Sequence, residues 1–244
     1  MPTRRPTPAL LVALAVVAPA AAAAQIVPTT PAPRIGVLAG LNSATFSEPS
    51  DADDEGDSGQ RRRNGLVGGV YATLPFGASG LALRPELLYA QKGTTFRVDF
   101  AEGGTEYRFE GHTKLSYLEV PILLQYAVPT SRGLSPQLYA GPAFGYRLAC
   151  RVEVRESVDG ATERLSQDCD AGGEEVGEDA AGVRRFDLGG VIGGALGFAV
   201  GGRALTVGVR YTHGFTRLAD EDGAPRNRVV GLYGSVEFPV GRPR

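Results

Sequence analysis

The chain has 244 residues, a formal net charge of −2 at pH 7, two Cys, two His and no Trp. This length suits one all-β domain, because barrels and sandwiches of roughly 200–250 residues occur undivided. The near-zero charge gives no electrostatic argument for nucleic-acid binding, and 34 Gly with 17 Pro, without a period, indicate a folded chain with many turns.

The first 24 residues are predicted to be a signal peptide. Arg4 and Arg5 precede an apolar run at residues 9–17, and Ala22-Ala23-Ala24 has the small-residue pattern of a cleavage site. The apolar run is shorter than the roughly 20 residues that a membrane-spanning helix needs, and no later segment approaches that length. We therefore expect secretion and no helical anchor.

Residues 25–33 form a Pro- and Thr-rich linker, residues 34–240 the predicted folded domain, and residues 241–244 a tail. Apolar and polar residues alternate with period two in eight segments of this domain, which predicts eight strands. The predicted strands are 34–46, 64–74, 81–93 with an extension through 100, 107–127, 137–150, 185–200, 204–216 and 230–238. Long polar connections, among them an acidic loop at 151–184, alternate with short turns, which is typical of membrane barrels.

The two faces of the predicted strands differ in chemistry. In the stretch LALRPELLYAQKG, Leu87 and Tyr89 lie on one face and Arg84 and Glu86 on the other, because successive side chains of a strand alternate. Charges of both signs recur opposite the apolar face in later strands. The pattern predicts an all-β, eight-stranded antiparallel up-and-down transmembrane β-barrel, with lipid outside and charges inside. An even strand count places both termini on the periplasmic side.

Eight inward residues form a candidate charge network of the barrel interior, with four charges of each sign. They are Arg84, Glu86, Lys92, Glu119, Arg147, Asp187, Arg210 and Glu237. Buried ions must pair or stay hydrated, and an eight-stranded barrel is only wide enough for side chains. We expect a paired plug without a conducting pore, with inward glycines of the fifth and sixth strands leaving room for Arg side chains. A proton or ion path is the functional alternative.

Several stretches resemble a known family. They are RIGVLAGLNSATF, LRPELLYAQKG, KLSYLEVPILLQY and PQLYAGPAFGY, followed by a late Arg-Tyr-Thr-His-Gly strand. The chain is similar over most of residues 34–240 to the outer-membrane β-barrel domain of the PorT-like family of Bacteroidetes-type bacteria. The resemblance implies an eight-stranded outer-membrane barrel. The family's namesake is linked to secretion and gliding, but the matched motifs are barrel-building residues, so that role is not carried over.

Two cysteines flank one end of the fifth connection. Cys150 and Cys169 lie in a chain that is predicted to enter a compartment permitting disulfides, so we expect them to form a bridge that closes an outer loop. Free thiols or a metal site are disfavoured, because no His accompanies the cysteines at ligand spacing.

The acidic loops are candidates for cation binding. Asp51, Asp53 and Glu55 imitate the start of a calcium loop, but position twelve is Arg62 where a Glu is needed. Further acidic residues between 168 and 179 and between 220 and 222 could bind divalent cations that bridge lipopolysaccharide phosphates. A solvating rim is the favoured interpretation of these charges, so we predict no metal site and no cofactor.

The leading functional hypothesis is a monomeric, non-enzymatic outer-membrane barrel with a structural or loop-mediated binding role. Its expected partners are outer-membrane lipid and lipopolysaccharide, and an envelope protein that contacts the outer loops. A soluble periplasmic lipocalin-like barrel for a small apolar ligand is the alternative, which the facing of the strands disfavours. A lipid-modifying outer-membrane enzyme using His213 is a third hypothesis, without a recognisable nucleophile motif.

Overall fold

The computed structural model describes residues 32–47, 60–102, 105–128, 130, 133–158, 161–169, 184–200, 203–219 and 224–240. Within these ranges the chain forms nine β-strands: β1 (Arg34–Phe46), β2 (Gln60–Pro75), β3 (Leu81–Glu102), β4 (Thr105–Ala127), β5 (Leu134–Val158), β6 (Ala161–Asp168), β7 (Phe186–Val200), β8 (Arg203–Gly214) and β9 (Asn227–Pro239). No helix in the described ranges is long and apolar enough to cross a membrane.

Eight of these strands, counted over the described residues, close into a barrel. The sheet order is β4-β3-β2-β1-β9-β8-β7-β5-β6, and an additional β4–β5 pairing closes the ring. Every pairing is antiparallel, and among the described strands β6 pairs with β5 alone. The predicted eight-stranded antiparallel up-and-down barrel is confirmed, with β6 as an appended strand.

The barrel is apolar outside and polar inside. Each barrel strand carries exposed aliphatic side chains on its outer face, for example Ile35, Leu66, Leu87, Leu124, Leu138, Ile192, Val209 and Leu232. The buried side chains between them include ions, amides and tyrosines as well as small apolar residues. This inversion of the usual soluble pattern suits a barrel surrounded by lipid, where water no longer opposes exposed apolar area.

The predicted loop at 151–184 is wrong over its first half. β5 runs to Val158, and β6 returns beside it from Ala161 to Asp168. Charged residues alternate there with Val152 and Val154, so the segment has the period-two pattern of a strand. The many charges, which lie in water on one face, made this pattern hard to recognise. Strands that leave the membrane need no apolar outer face, so the lipid-facing criterion ended β5 too early.

Gly93 marks the place where β3 leaves the barrel. Its φ is 130°, in the region that side chains with a Cβ rarely adopt. A Cβ at this position would also collide with the carbonyl oxygen of Thr113 on β4. The position therefore requires glycine for both conformation and close approach of the two backbones.

Candidate functional site

An ion cluster on β3 and β8 lies in the part of the lumen nearer the turn that precedes β3. Arg84 Nε lies 2.8 Å from Glu86 Oε1. Arg210 Nη1 donates to Glu86 Oε2 at 2.7 Å and Nη2 donates to Oε1 at 3.3 Å. In the ring of eight strands β3 and β8 stand opposite each other. The cluster therefore bridges the lumen from wall to wall.

Three inward tyrosines enclose the two arginines of this cluster. The Arg84 guanidinium carbon lies 3.9 Å from the ring centroid of Tyr71, and that of Arg210 lies 4.7 Å from the centroid of Tyr233. Tyr139 lies within cation–π range of both arginines and donates its hydroxyl to the Val209 carbonyl oxygen at 3.0 Å. Such contacts favour the charged guanidinium where water is scarce.

A second ion cluster lies nearer the end of the barrel from which β3, β4 and β5 project. Lys92 Nζ lies 2.6 Å from Glu119 Oε1 and 3.3 Å from Asp187 Oδ2. Asn227 Nδ2 donates to the same Asp187 oxygen at 2.8 Å. The ring of Tyr117 lies 4.8 Å from the Lys92 ammonium. This cluster connects four barrel strands, β3, β4, β7 and β9, through one cation, two carboxylates and the Asn227 amide.

The structure divides the eight predicted interior charges rather than joining them in one network. Six lie in the two clusters. Glu237 is buried and accepts a hydrogen bond from Thr73 Oγ1 at 2.8 Å, with Arg34 Nη1 at 3.8 Å. Arg147 is 4% exposed and lies on β5. Arg34 is absent from the predicted set of interior charges, although its position two residues before the inward Gly36 assigns it to the inner face.

Inward glycines of β7 and β8 lie beside tyrosine rings, which corrects the Arg occupants expected for the fifth and sixth predicted strands; Arg210 instead passes Gly231 of β9. A Cβ at Gly193 on β7 would overlap the Tyr139 ring, and one at Gly208 on β8 would overlap the Tyr233 ring. Alternation along the strands already turns Tyr139 and Tyr233 inward. Which glycine each ring lies beside depends on the register of the closed ring, in which Tyr139 is opposite Gly193 and Tyr233 is opposite Gly208. The lumen is therefore filled by aromatic side chains as well as by ions.

Little free space remains beside the second cluster. A cavity of about 10 Å³ lies among Lys92, Glu119, Asp187 and Thr212, which is room for about one water molecule. A lumen that is crossed by ion pairs and packed with tyrosines offers no apolar pocket for a ligand at this level. The geometry thus disagrees with the lipocalin-like alternative.

Beyond the barrel rim, three barrel strands continue and β6 joins them in a four-stranded extension that we call the projecting sheet. It consists of residues 93–102 of β3, 105–114 of β4, 151–158 of β5 and all of β6. Its inner face, on the side of the lumen, carries Phe96, Val98, Val154 and Leu165. Among the described residues, β6 is a free edge of this sheet, and residues 97–102 of β3 form the opposite edge.

The outer face of the projecting sheet is charged. Arg97 pairs with Glu110, and Arg108 Nε lies 2.7 Å from Asp99 Oδ1. The outer face of the extension is thus ionic, whereas its inner face combines apolar side chains with Glu156 and Glu163.

Another ion pair of the outer face joins β4 to β5. Lys114 Nζ donates to Glu153 Oε1 at 2.6 Å. That hydrogen bond is the main reason why the pKa of the Glu153 carboxyl lies below its usual value.

A disulfide ties the base of β6 to β5. Cys150 and Cys169 are bonded, their Cα atoms are 5.4 Å apart, and the Cys169 amide donates to the Cys150 carbonyl oxygen at 3.2 Å. Both cysteines are buried with Leu115, Tyr117 and Leu218. The bridge thus closes the β5–β6 hairpin on a small apolar cluster above the lumen.

Neither histidine lies in a catalytic arrangement among the residues that the structure describes. His213 Nδ1 is 3.2 Å from the Tyr211 hydroxyl, and its ring packs near Phe215. His112 Nδ1 is 3.1 Å from Thr95 Oγ1.

Over the same ranges, no group of three or more potential metal ligands occurs. The predicted acidic patches at 51–55, 170–179 and 220–222 lie outside the described residues. Asp168, the first acidic residue of the second patch, is described, and its Oδ1 lies 3.2 Å from Arg151 Nε.

Comparisons with known proteins agree on the architecture. Residues 24–220 match the family described as "Outer membrane protein beta-barrel domain". A search of curated proteins gives no match.

Among solved structures, OprG of Pseudomonas aeruginosa is similar with 13% identity and a TM-score of 0.40, over 86% of this chain and 97% of OprG. Neisserial surface protein A gives 15% identity and 0.34, over 84% and 96%. Ail of Yersinia pestis, solved with the heparin analogue sucrose octasulfate, gives 13% and 0.35, over 85% and 99%. At these TM-scores the three structures carry no functional argument.

Proposed function

Because this chain belongs to the outer membrane protein β-barrel domain family, we propose that it is a closed, non-enzymatic barrel that displays a binding sheet outside the membrane. The outer membrane is its location. The finer elements of the proposal are a signal peptide at residues 1–24, both termini on the periplasmic side and a monomeric barrel. The PorT-like resemblance is retained as part of the same proposal.

The observation that carries this function is the ion pair across the lumen. A pore needs a continuous wet path, whereas Arg210 and Glu86 join opposite walls through two hydrogen bonds. Removing either partner would leave the other charge buried, so opening the lumen has a high energetic cost. A barrel that does not conduct acts through its surface.

The projecting sheet supports a binding role at that surface. Its hairpins reach beyond the apolar belt, which is the band of exposed apolar side chains around the barrel. Its edge strand β6 leaves backbone groups available for pairing with another strand. We propose that this sheet contacts an envelope protein. The same feature supports the proposed orientation, because long connections of membrane barrels face outward and short turns face the periplasm.

The test uses full-length protein from washed outer membranes. Boiled and unboiled samples are compared by gel electrophoresis, and the purified barrel is then added to planar lipid bilayers. The proposal expects a heat-dependent mobility shift and no stepwise conductance. Regular conductance steps, or recovery of the protein in the soluble periplasmic fraction, would overturn it.

A further inference from the structure

Positive charge is concentrated at one border of the apolar belt. Among the described residues, six of the eight barrel strands have a basic residue within four positions of their last exposed apolar side chain at the projecting-sheet end. These residues are Arg62, Lys114, Arg151, Arg184, Arg217 and Arg228. Of these, Lys114 and Arg151 pair with Glu153 and Asp168. At the turn end, the described residues meeting the same criterion outside the lumen core are Arg203, which is exposed, and Arg34, which is half-exposed and lies 3.8 Å from Glu237. The charge distribution therefore distinguishes the two membrane faces.

The basic residues are densest around the end of β1. Arg62 on β2 donates from Nε to Ser43 Oγ and from Nη2 to the Ser43 carbonyl oxygen, both at 3.2 Å. On the other side of β1, Arg228 of β9 lies opposite Thr45. Arg226 precedes it and is also exposed. Two hydroxyl-bearing residues of β1 thus lie between arginines of the two strands that flank it, β2 and β9. The axes of these two strands are about 10 Å apart.

The outer surface next to this group, toward the middle of the barrel, is largely apolar, with Asn64 at the level of Ser43 as an exposed polar residue. Leu41 on β1 and Leu66 on β2 are each 58% exposed, and Val230 on β9 is 45% exposed. An amphipathic lipid lying against β1 would therefore place acyl chains on these side chains and its headgroup between the arginines. Guanidinium groups bind phosphate with paired, charge-assisted hydrogen bonds, which ammonium groups cannot reproduce.

We propose that Arg62, Ser43, Thr45 and Arg228 form a binding site for the phosphate groups of lipopolysaccharide lipid A. Charge complementarity selects a phosphorylated headgroup, and the position at the border of the belt selects a lipid of the surrounding leaflet. The inference rests on the orientation proposed above, in which the projecting sheet faces outward. It concerns the wall of the barrel and does not involve the lumen or the free edge of the sheet.

The test measures lipid binding to the full-length barrel in detergent by native mass spectrometry. The probes are bis-phosphorylated lipid A, the same lipid A without phosphates, and phosphatidylglycerol. The double variant Arg62→Gln with Arg228→Gln removes the site. The control Arg155→Gln with Arg164→Gln makes the same charge change on exposed or half-exposed arginines of the projecting sheet.

We expect the wild type to prefer bis-phosphorylated lipid A. The affinity of the site variant for this lipid should be at least about tenfold lower. The control variant should bind like the wild type, and R62K with R228K should bind at an intermediate level. Equal binding of the two lipid A forms, equal loss in both double variants, or equal affinity for phosphatidylglycerol would overturn the proposal. Heat-modifiability of each variant reports the barrel separately, so failure of the lipid site is distinguishable from failure of the proposed function.

Discussion

Arg210 on β8 donates hydrogen bonds from Nη1 and Nη2 to the two carboxylate oxygens of Glu86 on β3, at 2.7 and 3.3 Å, across the lumen. The same carboxylate lies 2.8 Å from Arg84 Nε, so one anion serves two buried cations. Of the interior charges, loss of the Glu86 charge should therefore lower the stability of the barrel most.

Replacing Glu86 with Gln should destabilise the barrel strongly. The change leaves Arg84 and Arg210 buried without a counterion, a situation that costs about 3–5 kcal/mol. The measurement is the temperature at which the heat-modifiable gel form is lost. Glu237→Gln is the matched control and should have a smaller effect, because its partner Arg34 is 24% exposed and 3.8 Å away. Equal losses in the two variants would contradict the central role of Glu86.

Adjacent glycines of β7 should respond oppositely to alanine. A Cβ at Gly193 would overlap the Tyr139 ring, whereas a Cβ at Gly194 meets nothing closer than 3.6 Å. We expect Gly193→Ala to cost about 1–3 kcal/mol of unfolding free energy through overpacking. Gly194→Ala should be neutral or stabilising, since Ala restricts the unfolded chain more than Gly. Urea unfolding in detergent, followed by tryptic protection, measures both; a neutral G193A would mean that the ring moves aside freely.

The sequence predicted the barrel well because lipid and lumen impose a strict period of two. In β4, Leu118, Val120 and Ile122 are exposed while Glu119 and Pro121 are buried, as the alternation requires. Side-chain facing in such a strand follows from local sequence alone.

Which charges pair could not be predicted in the same way. Contact between Glu86 and Arg210 spans 124 positions and depends on closure and register of the whole ring. The projecting part of β5 was missed for a different reason. Outside the membrane, Arg155 and Glu156 follow each other in water, and the lipid-facing signal that defined the other strands is absent.

Reduction of the Cys150–Cys169 bridge should loosen the β5–β6 hairpin and leave the barrel intact. The bridge links positions 19 apart, and closing a loop of about that length contributes roughly 3 kcal/mol in the chain-entropy description. We expect the double Ser variant to be cleaved by protease within β6 and to retain its heat-modifiable mobility. Loss of the mobility shift in this variant would show that the hairpin supports the barrel itself.

Arg164→Glu should stabilise the same hairpin. Arg164 lies directly opposite Arg155, and like charges at such positions are unfavourable. An acid at 164 would create a cross-strand ion pair worth about 0.2–1 kcal/mol. Amide hydrogen exchange of β6 should slow in R164E. Thr162→Glu, which faces Ser157, is the control, and equal slowing in both variants would contradict a pairwise effect.

The Lys114–Glu153 pair should make the β4–β5 extension sensitive to acid. Because the folded-state pKa of Glu153 is lowered, its contribution to stability is present above the unfolded pKa, near the ordinary carboxyl value, and is lost as the pH falls through the folded pKa. The pair is partly exposed, so the effect on stability is small after solvent screening. Carbon-13 NMR titration of the Glu153 carboxyl should give a value below the ordinary one in the wild type and in Lys114→Arg. In Lys114→Gln the titration should move back up, because the charged donor is gone. A titration curve unchanged by K114Q would assign the lowered pKa to other charges of the sheet.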